Sequence, residues 1–350
     1  MRGFIRLAVS AAALPLTLSL VPANAQTAPK FAVDASWPKE LPKDWITGQL
    51  GGVCTAEQDH IYVVNRRNIT DEEKETSISA PSIIKFDMEG NVVGSWGDQS
   101  TVPNSIHGCF VDQDKNVYVA GNSDGIVQKY APDGKLLLQI GTKGKFDSVD
   151  GTRRGKGNNS AQDQLHMPSG IVVDPGNGDI YISDGYGNRR VAVFDKAGKL
   201  LRQWGRQATE EESQKNVPGV FAEVVHCIAM SNAGLIYACD RQGNRVQVFR
   251  KDGSFVKEFT VEPRTAGNGS VWDIVLSRDP QQRWLHLADG RNNQVLTLER
   301  ETGAVAGALG RPGRYAGEFH WVHDLAIDSK GNLYAGEVDT GKRVQRFVRK

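Results

Sequence analysis

An all-β ring of six blades, a six-bladed β-propeller, is the fold class this chain predicts, and three observations predict it. An aromatic-flanked strand motif occurs six times: Ile61-Tyr-Val-Val64, Val117-Tyr-Val-Ala120, Ile180-Tyr-Ile-Ser183, Ile236-Tyr-Ala-Cys239, Leu285-His-Leu-Ala288 and Leu333-Tyr-Ala-Gly336. Recurrence of this kind marks a repeat architecture. Around each copy lie short runs with period-2 alternation, separated by turn residues, as half-buried strands require. No long helical periodicity appears beyond residue 25. Four short antiparallel strands per unit make a propeller blade.

Arg2 and Arg6 give the chain a positive start, Leu7 to Val21 is an apolar stretch, and Ala23-Asn24-Ala25 is a small-x-small cleavage site, so residues 1–25 read as an export signal. The apolar run is short and proline-broken for a membrane span, a retained anchor being the alternative to a cleaved signal. The expected mature protein is therefore periplasmic or secreted, has no membrane span once the signal is removed, and is one domain over residues 26–350. Within a blade the motif strand leads through a polar turn to a strand such as Arg190-Val-Ala-Val-Phe194, Arg245-Val-Gln-Val-Phe249 or Arg343-Val-Gln-Arg-Phe347. A Gly turn follows (Asp133-Gly134, Ala197-Gly198, Asp252-Gly253), and then a fourth strand ending in Ser95-Trp-Gly97, Gln203-Trp-Gly205 or Ala308-Leu-Gly310. The sixth repeat stops after its third strand, at Arg349-Lys350. The segment Phe31-Ala-Val-Asp34 is expected to supply the missing strand, closing the ring and removing an exposed edge. The polar stretch Gly141–Gln164 is expected to be a loop between blades, placed where it could line the entrance to the centre or simply form mobile surface.

Charge excludes two classes of partner. Lys and Arg total 42 against 41 Asp and Glu, a net +1, and no basic cluster dominates, which argues against nucleic acid and anionic membrane. A monomer is expected. Four cysteines are too few for a disulfide scaffold. Cys227 and Cys239 would lie opposite each other in a hairpin, either as a bridge or as two buried thiols.

The chemistry lies in three histidines. His107, His226 and His323 each precede the tyrosine of a motif strand, Tyr118, Tyr237 and Tyr334, by eleven residues. They therefore head the innermost strands of blades two, four and six. Alternate blades of a six-fold ring stand about 120° apart, so the imidazoles should converge on the axis. Three such ligands with a fourth tetrahedral position open describe a catalytic Zn²⁺ site. The corresponding positions of the other blades fall near Gly51, Ser169 and Trp272, so the histidine is no blade consensus.

A second layer is expected at the exits of the motif strands, where the chain offers Asn65-Arg66, Asp184-Gly185-Tyr186 and Asp240-Arg241. A guanidinium fork suits a substrate carboxylate. A phenol flanked by cations can act as a general base. The alternative is that Asp184 and Asp240 cap turns and that Arg66 and Arg241 are surface charges.

The six repeats resemble NHL repeats. The set Asn65-Arg66, His107-Gly108, Asp184-Gly-Tyr-Gly-Asn188, Asp240-Arg241-Gln-Gly-Asn-Arg245 and His323-Asp324 resembles the peptidyl-α-hydroxyglycine α-amidating lyase family across nearly the whole mature chain. The resemblance implies that His107, His226 and His323 bind zinc, that Tyr186 is catalytic, and that Arg66 and Arg241 are active-site arginines. It also implies a structural Ca²⁺ on the Asp324 side chain and the backbone carbonyls of Val53 and Cys109. Two features depart from the family. Its animal members carry cysteine after the tyrosine, where this chain has Gly187, and they bracket the Asp-Arg motif with a disulfide, where this chain has Cys239 and Val248. Neither of those bridges is expected here.

The reaction implied is cleavage of a carbinolamide, N–CH(OH)–COO⁻, into an amide and glyoxylate, with a small-molecule or peptide substrate ending in α-hydroxyglycine. One alternative is a metal-dependent lactonase on the same ring, which would rely on carboxylate and Asn ligands to a hard cation. The other is a non-enzymatic propeller that binds a peptide or protein on its face.

Overall fold

A computed structural model describes residues 27–350 apart from 43, 57, 58 and 99. The export signal read at residues 1–25 lies outside the described residues. Six four-stranded antiparallel sheets form the ring. The innermost strands are Leu50–Thr55, Ile106–Val111, Gly170–Val173, Val225–Met230, Asp273–Leu276 and Val322–Ile327, for blades one to six in order. The sixth blade is completed by Phe31–Asp34, which pairs with Val344–Arg349 in the register Phe31↔Arg349 to Asp34↔Arg346. Strand pairing joins the two ends of the described chain, as the missing fourth strand requires. Asp34 also pairs with the Arg346 guanidinium.

Apolar wedges between neighbouring blades hold the ring together. Tyr237 and Val248 of blade four pack with Ile274 and Leu285 of blade five. Trp37 and Tyr334 pack with Val53 and Val63 where blade six meets blade one. Each such buried side chain contributes about 1.5–3 kcal/mol over leaving it in water. The motif tyrosines are these wedge residues, and each must satisfy its hydroxyl. Tyr237 accepts from Arg300 Nη1 at 2.8 Å, and Tyr334 donates to Asp328 at 3.1 Å.

The acidic residues at the exits of the motif strands are structural ties. Asp240 accepts from Arg245 Nε and from the amide of Ala222, both at 2.9 Å. Asp184 accepts from Arg190 Nε at 2.9 Å and the His166 amide at 2.6 Å. Each therefore anchors the third strand of its blade and the segment entering the first. Removing one partner from such a buried pair costs about 3–5 kcal/mol.

All four cysteines are paired. Cys227–Cys239 crosses the blade-four hairpin, so the bridge is formed rather than two thiols. Cys54–Cys109 ties the inner strands of blades one and two with a Cα separation of 5.8 Å. Sequence reading missed this second bridge. Two disulfides suit an oxidising compartment. No described helix is long and apolar enough to cross a membrane. The described helices, Asp71–Lys74 and Glu210–Gln214, are short polar turns, each closed by a Thr/Glu capping box.

Blade five carries His286 where the other blades carry tyrosine. Its ring is buried against Phe31, Nδ1 meets Thr297 Oγ1 at 3.0 Å, and burial pushes its pKa down to about 4. From pH 6.5 down to about 4 the unfolded chain takes up a proton that the folded chain refuses. Stability should therefore fall across that window by about 3 kcal/mol on account of this side chain. Denaturant titrations of the parent and His286→Tyr at several pH values test this. The variant's profile should be flatter by that amount, and parallel profiles would refute it.

Candidate metal centre

The backbone aims the histidines. The inner strands of blades two, four and six each carry a register shift at the histidine, between His107 and Cys109, Val225 and Ile228, and Val322 and Asp324. A bulge turns a side chain that regular pleating would direct elsewhere. In blade two the bulge needs Gly108, which has φ +61° and where a Cβ would lie 2.3 Å from the Ser169 oxygen.

That oxygen orients the first imidazole, since His107 Nδ1 sits 2.9 Å from Ser169 O. His226 Nδ1 likewise sits 2.5 Å from Trp272 O. Blades three and five thus each present a carbonyl to the histidine of the blade before them, whereas His323 Nδ1 is buried with no partner. Donating Nδ1–H to a carbonyl leaves the Nε2 lone pair free for a metal. The three rings stand 4.6 to 5.0 Å apart by centroid, and one nitrogen from each lies within 4.8 Å of the others. Burial holds all three imidazoles well below their ordinary pKa, with the arginines and neighbouring histidines adding to the effect. They are therefore neutral, as ligands must be.

The donor set fits a cation. His226 Nε2 is buried with no partner, a vacancy that native structures rarely tolerate without a ligand. Three neutral imidazoles with no carboxylate among them suit zinc better than a hard oxygen-seeking ion.

Tyr186 stands beside the histidines. Its hydroxyl is 3.1 Å from His107 Nε2 and receives a hydrogen bond from Arg241 Nη1 at 3.0 Å. The Arg241 guanidinium lies over the Tyr186 and Trp272 rings, 5.3 and 4.9 Å from their centroids, with its Nε buried and unpartnered. Arg66 is held by Ile106 O at 3.0 Å and Gln49 Oε1 at 2.8 Å, and burial lowers its pKa. The charges of both arginines act on all three imidazoles, whereas Asp184 and Asp240 are tied to Arg190 and Arg245.

Further along the channel, Asp324, Val53 and Cys109 line one cavity of about 210 Å³. Asp324 accepts from the Val53 amide at 2.7 Å. The same cavity contains Asp273, which accepts from the Leu325 amide at 2.7 Å. Burial, and then the Asp273 charge, raise the Asp324 carboxyl well above its usual range; burial raises Asp273 to about 7. Both face the channel space yet lie deep in the ring, so a cation would relieve both. Sequence reading missed Asp273, although it follows Trp272 as Asp324 follows His323.

At Gly187, where the sequence departs from the animal pattern, a Cβ would lie 2.1 Å from the His166 ring. The space is filled by that buried histidine.

The fold and the site define an NHL-repeat six-bladed β-propeller with a buried three-histidine centre. The NHL repeat model matches residues 165–194. Among curated proteins, the chain is 26% identical over 246 residues to the peptidyl-glycine alpha-amidating monooxygenase of Mus musculus, covering 67% of this chain and 22% of that protein. It is 24% identical over 301 residues to peptidyl-alpha-hydroxyglycine alpha-amidating lyase 1 of Drosophila melanogaster, covering 81% and 52%. It is 25% identical over 337 residues to NHL repeat-containing protein 3 of Homo sapiens, covering 91% and 84%. Among solved structures, a streptogramin B lyase superposes with a TM-score of 0.58 at 11% identity, covering 91% of this chain and 98% of that one, which bears on the fold alone.

Proposed function

We propose that the protein is a zinc-dependent carbon–nitrogen lyase that cleaves a carbinolamide, R–CO–NH–CH(OH)–COO⁻, to the amide R–CO–NH₂ and glyoxylate. The observation that carries this reading is the Tyr186 hydroxyl held between an imidazole of the cluster and the Arg241 guanidinium, at 3.1 and 3.0 Å. Relatives with lyase names support it. A bound zinc ion would supply Lewis acidity at the substrate hydroxyl. Arg241 and Arg66 bind and orient the carboxylate. Tyr186 takes the hydroxyl proton and delivers it to nitrogen. The O–H electron pair becomes the carbonyl of glyoxylate and the C–N pair leaves on nitrogen, so the reaction needs no co-reactant. Buried walls of Trp272 and the histidines exclude bulk water and strengthen these interactions. The two disulfides and the export signal read from the sequence support action outside the cytoplasm.

The test is metal analysis of purified protein together with glyoxylate release from α-hydroxyhippurate. About one zinc per chain and stoichiometric benzamide and glyoxylate are expected. A metal-free protein that forms no glyoxylate would leave the binding-module reading.

In this reading Asp324 and the carbonyls of Val53 and Cys109 hold a structural Ca²⁺, an ion that prefers oxygen ligands. Calcium at about a hundredfold its Kd should stabilise the fold by about 2.7 kcal/mol, raising Tm by several degrees. Asp324→Asn should abolish that shift. A Tm equal in excess calcium and in chelator would refute the site.

A further inference from the structure

The stretch between blades two and three, residues 141–164, is a built wall rather than slack surface. Asn188 Oδ1 receives the amides of Asn158 and Asn159, each at 3.2 Å. The buried Asp147 receives the amides of Ser160 and Ala161 and pairs with the buried Arg190 at 3.3 Å. His166 Nε2 meets Arg153 O at 3.0 Å. Between this wall and Tyr186 lies a cavity of about 780 Å³.

Its charge is one-sided. Arg153, Arg154, Lys156, Arg189 and Arg206 line it, with no Asp or Glu among the lining residues. Glu212 neutralises Arg206 through both amino groups, at 2.8 and 2.6 Å. Arg189 turns to the carbonyls of Glu223 and Gly187. Arg153, Arg154 and Lys156 are exposed, and no ion pair engages them among the described residues. His166, itself buried on the same wall, leaves Nδ1 without a partner. The chain as a whole carries a net charge of only +1, so this excess is local.

Resting on the lyase reading, we propose that this pocket receives the acyl end of the substrate and selects acyl groups that carry a second carboxylate. Tyr186 borders this cavity, while Arg241 and His107, which meet its hydroxyl, lie outside the cavity lining together with Arg66. A substrate spanning the phenol therefore places its far end among unpaired cations, which favour a carboxylate. The natural substrates are then dianionic, and the reaction that supplies them is hydroxylation of an N-acylglycine whose acyl group is acidic.

The test compares N-(4-carboxybenzoyl)-α-hydroxyglycine with α-hydroxyhippurate for kcat/KM. In parallel, calorimetry compares N-(4-carboxybenzoyl)glycine with hippurate, neither of which can react. Both are measured on the holoprotein, on a variant combining Arg153→Ala, Arg154→Ala and Lys156→Ala, and on Arg154→Glu alone. The expected preference for the dianion is about tenfold in both measurements, the size one or two exposed ion pairs supply. It should approach unity in the triple variant and shrink in Arg154→Glu and at high salt. Equal binding of the two analogues by the parent, or a preference that survives the triple variant, overturns the proposal. A binding preference without turnover of either hydroxy compound would instead remove the lyase reading and leave the pocket standing.

Discussion

His226→Ala is expected to lose its transition metal and at least about a thousandfold of its glyoxylate-forming activity, since Lewis-acid assistance is worth several kcal/mol and each 1.36 kcal/mol is a factor of ten. His226 is an informative ligand because its Nδ1 is held by Trp272 O while its Nε2 is buried with no partner. Its removal should therefore act through the cation rather than through a lost protein contact. The change also strips the hydrogen-bond donor from Trp272 O, which costs about 1–3 kcal/mol of stability. Far-ultraviolet circular dichroism and a thermal melt run beside the assay separate the two effects. A folded variant that holds one zinc per chain and keeps the parent rate would show that the imidazole cluster is not the working centre.

Much of this arrangement was legible in the sequence because the fold is periodic. Equal spacing to Tyr118, Tyr237 and Tyr334 placed the three histidines at one depth, and alternation of blades placed them around one axis. The missing fourth strand of the last repeat pointed to Phe31–Asp34 in the same way. What could not be read depends on contacts between distant segments or on departures from the period. Cys54 and Cys109 are 55 residues apart, and neither position within its blade predicts a partner. The bulges that aim the histidines are local slips of register, invisible to an alternation count that assumes none. Whether Asp184 and Asp240 were catalytic or structural stayed open because the answer depends on Arg190 and Arg245, whose guanidinium groups fold back onto them at 2.9 Å. The wall made by residues 141–164 has no repeat to calibrate it. Its order comes from buried partners, Asp147, Asn188 and His166, supplied by its own ends and by blade three. Asp273 was readable and overlooked: register places it beside Asp324, but the side chain in front of it is Trp272 rather than histidine.

Tyr186→Phe should lower kcat by about 10² to 10⁴, the range for loss of a positioned acid–base group, while zinc content stays at parent level. The structure makes the second half of that expectation specific. His107 gives its Nδ1 hydrogen to Ser169 O, so the Tyr186 hydroxyl must donate to the Nε2 lone pair at 3.1 Å, with Arg241 donating to the phenol oxygen in turn. That lone pair is the one a cation needs. In the metal-free protein the phenol therefore competes with the metal for His107, and metal binding frees the phenol to face the substrate hydroxyl. Phenylalanine removes the competitor but keeps the ring between Arg241 and the cluster. The variant should accordingly bind zinc at least as tightly as the parent in a chelator competition, while turning over slowly. A fall in both metal affinity and rate would instead mean that Tyr186 serves to hold the site together. An unchanged rate would mean that the proton leaves the substrate by some other route, and that His107 and Arg241 owe their contact with the phenol to packing.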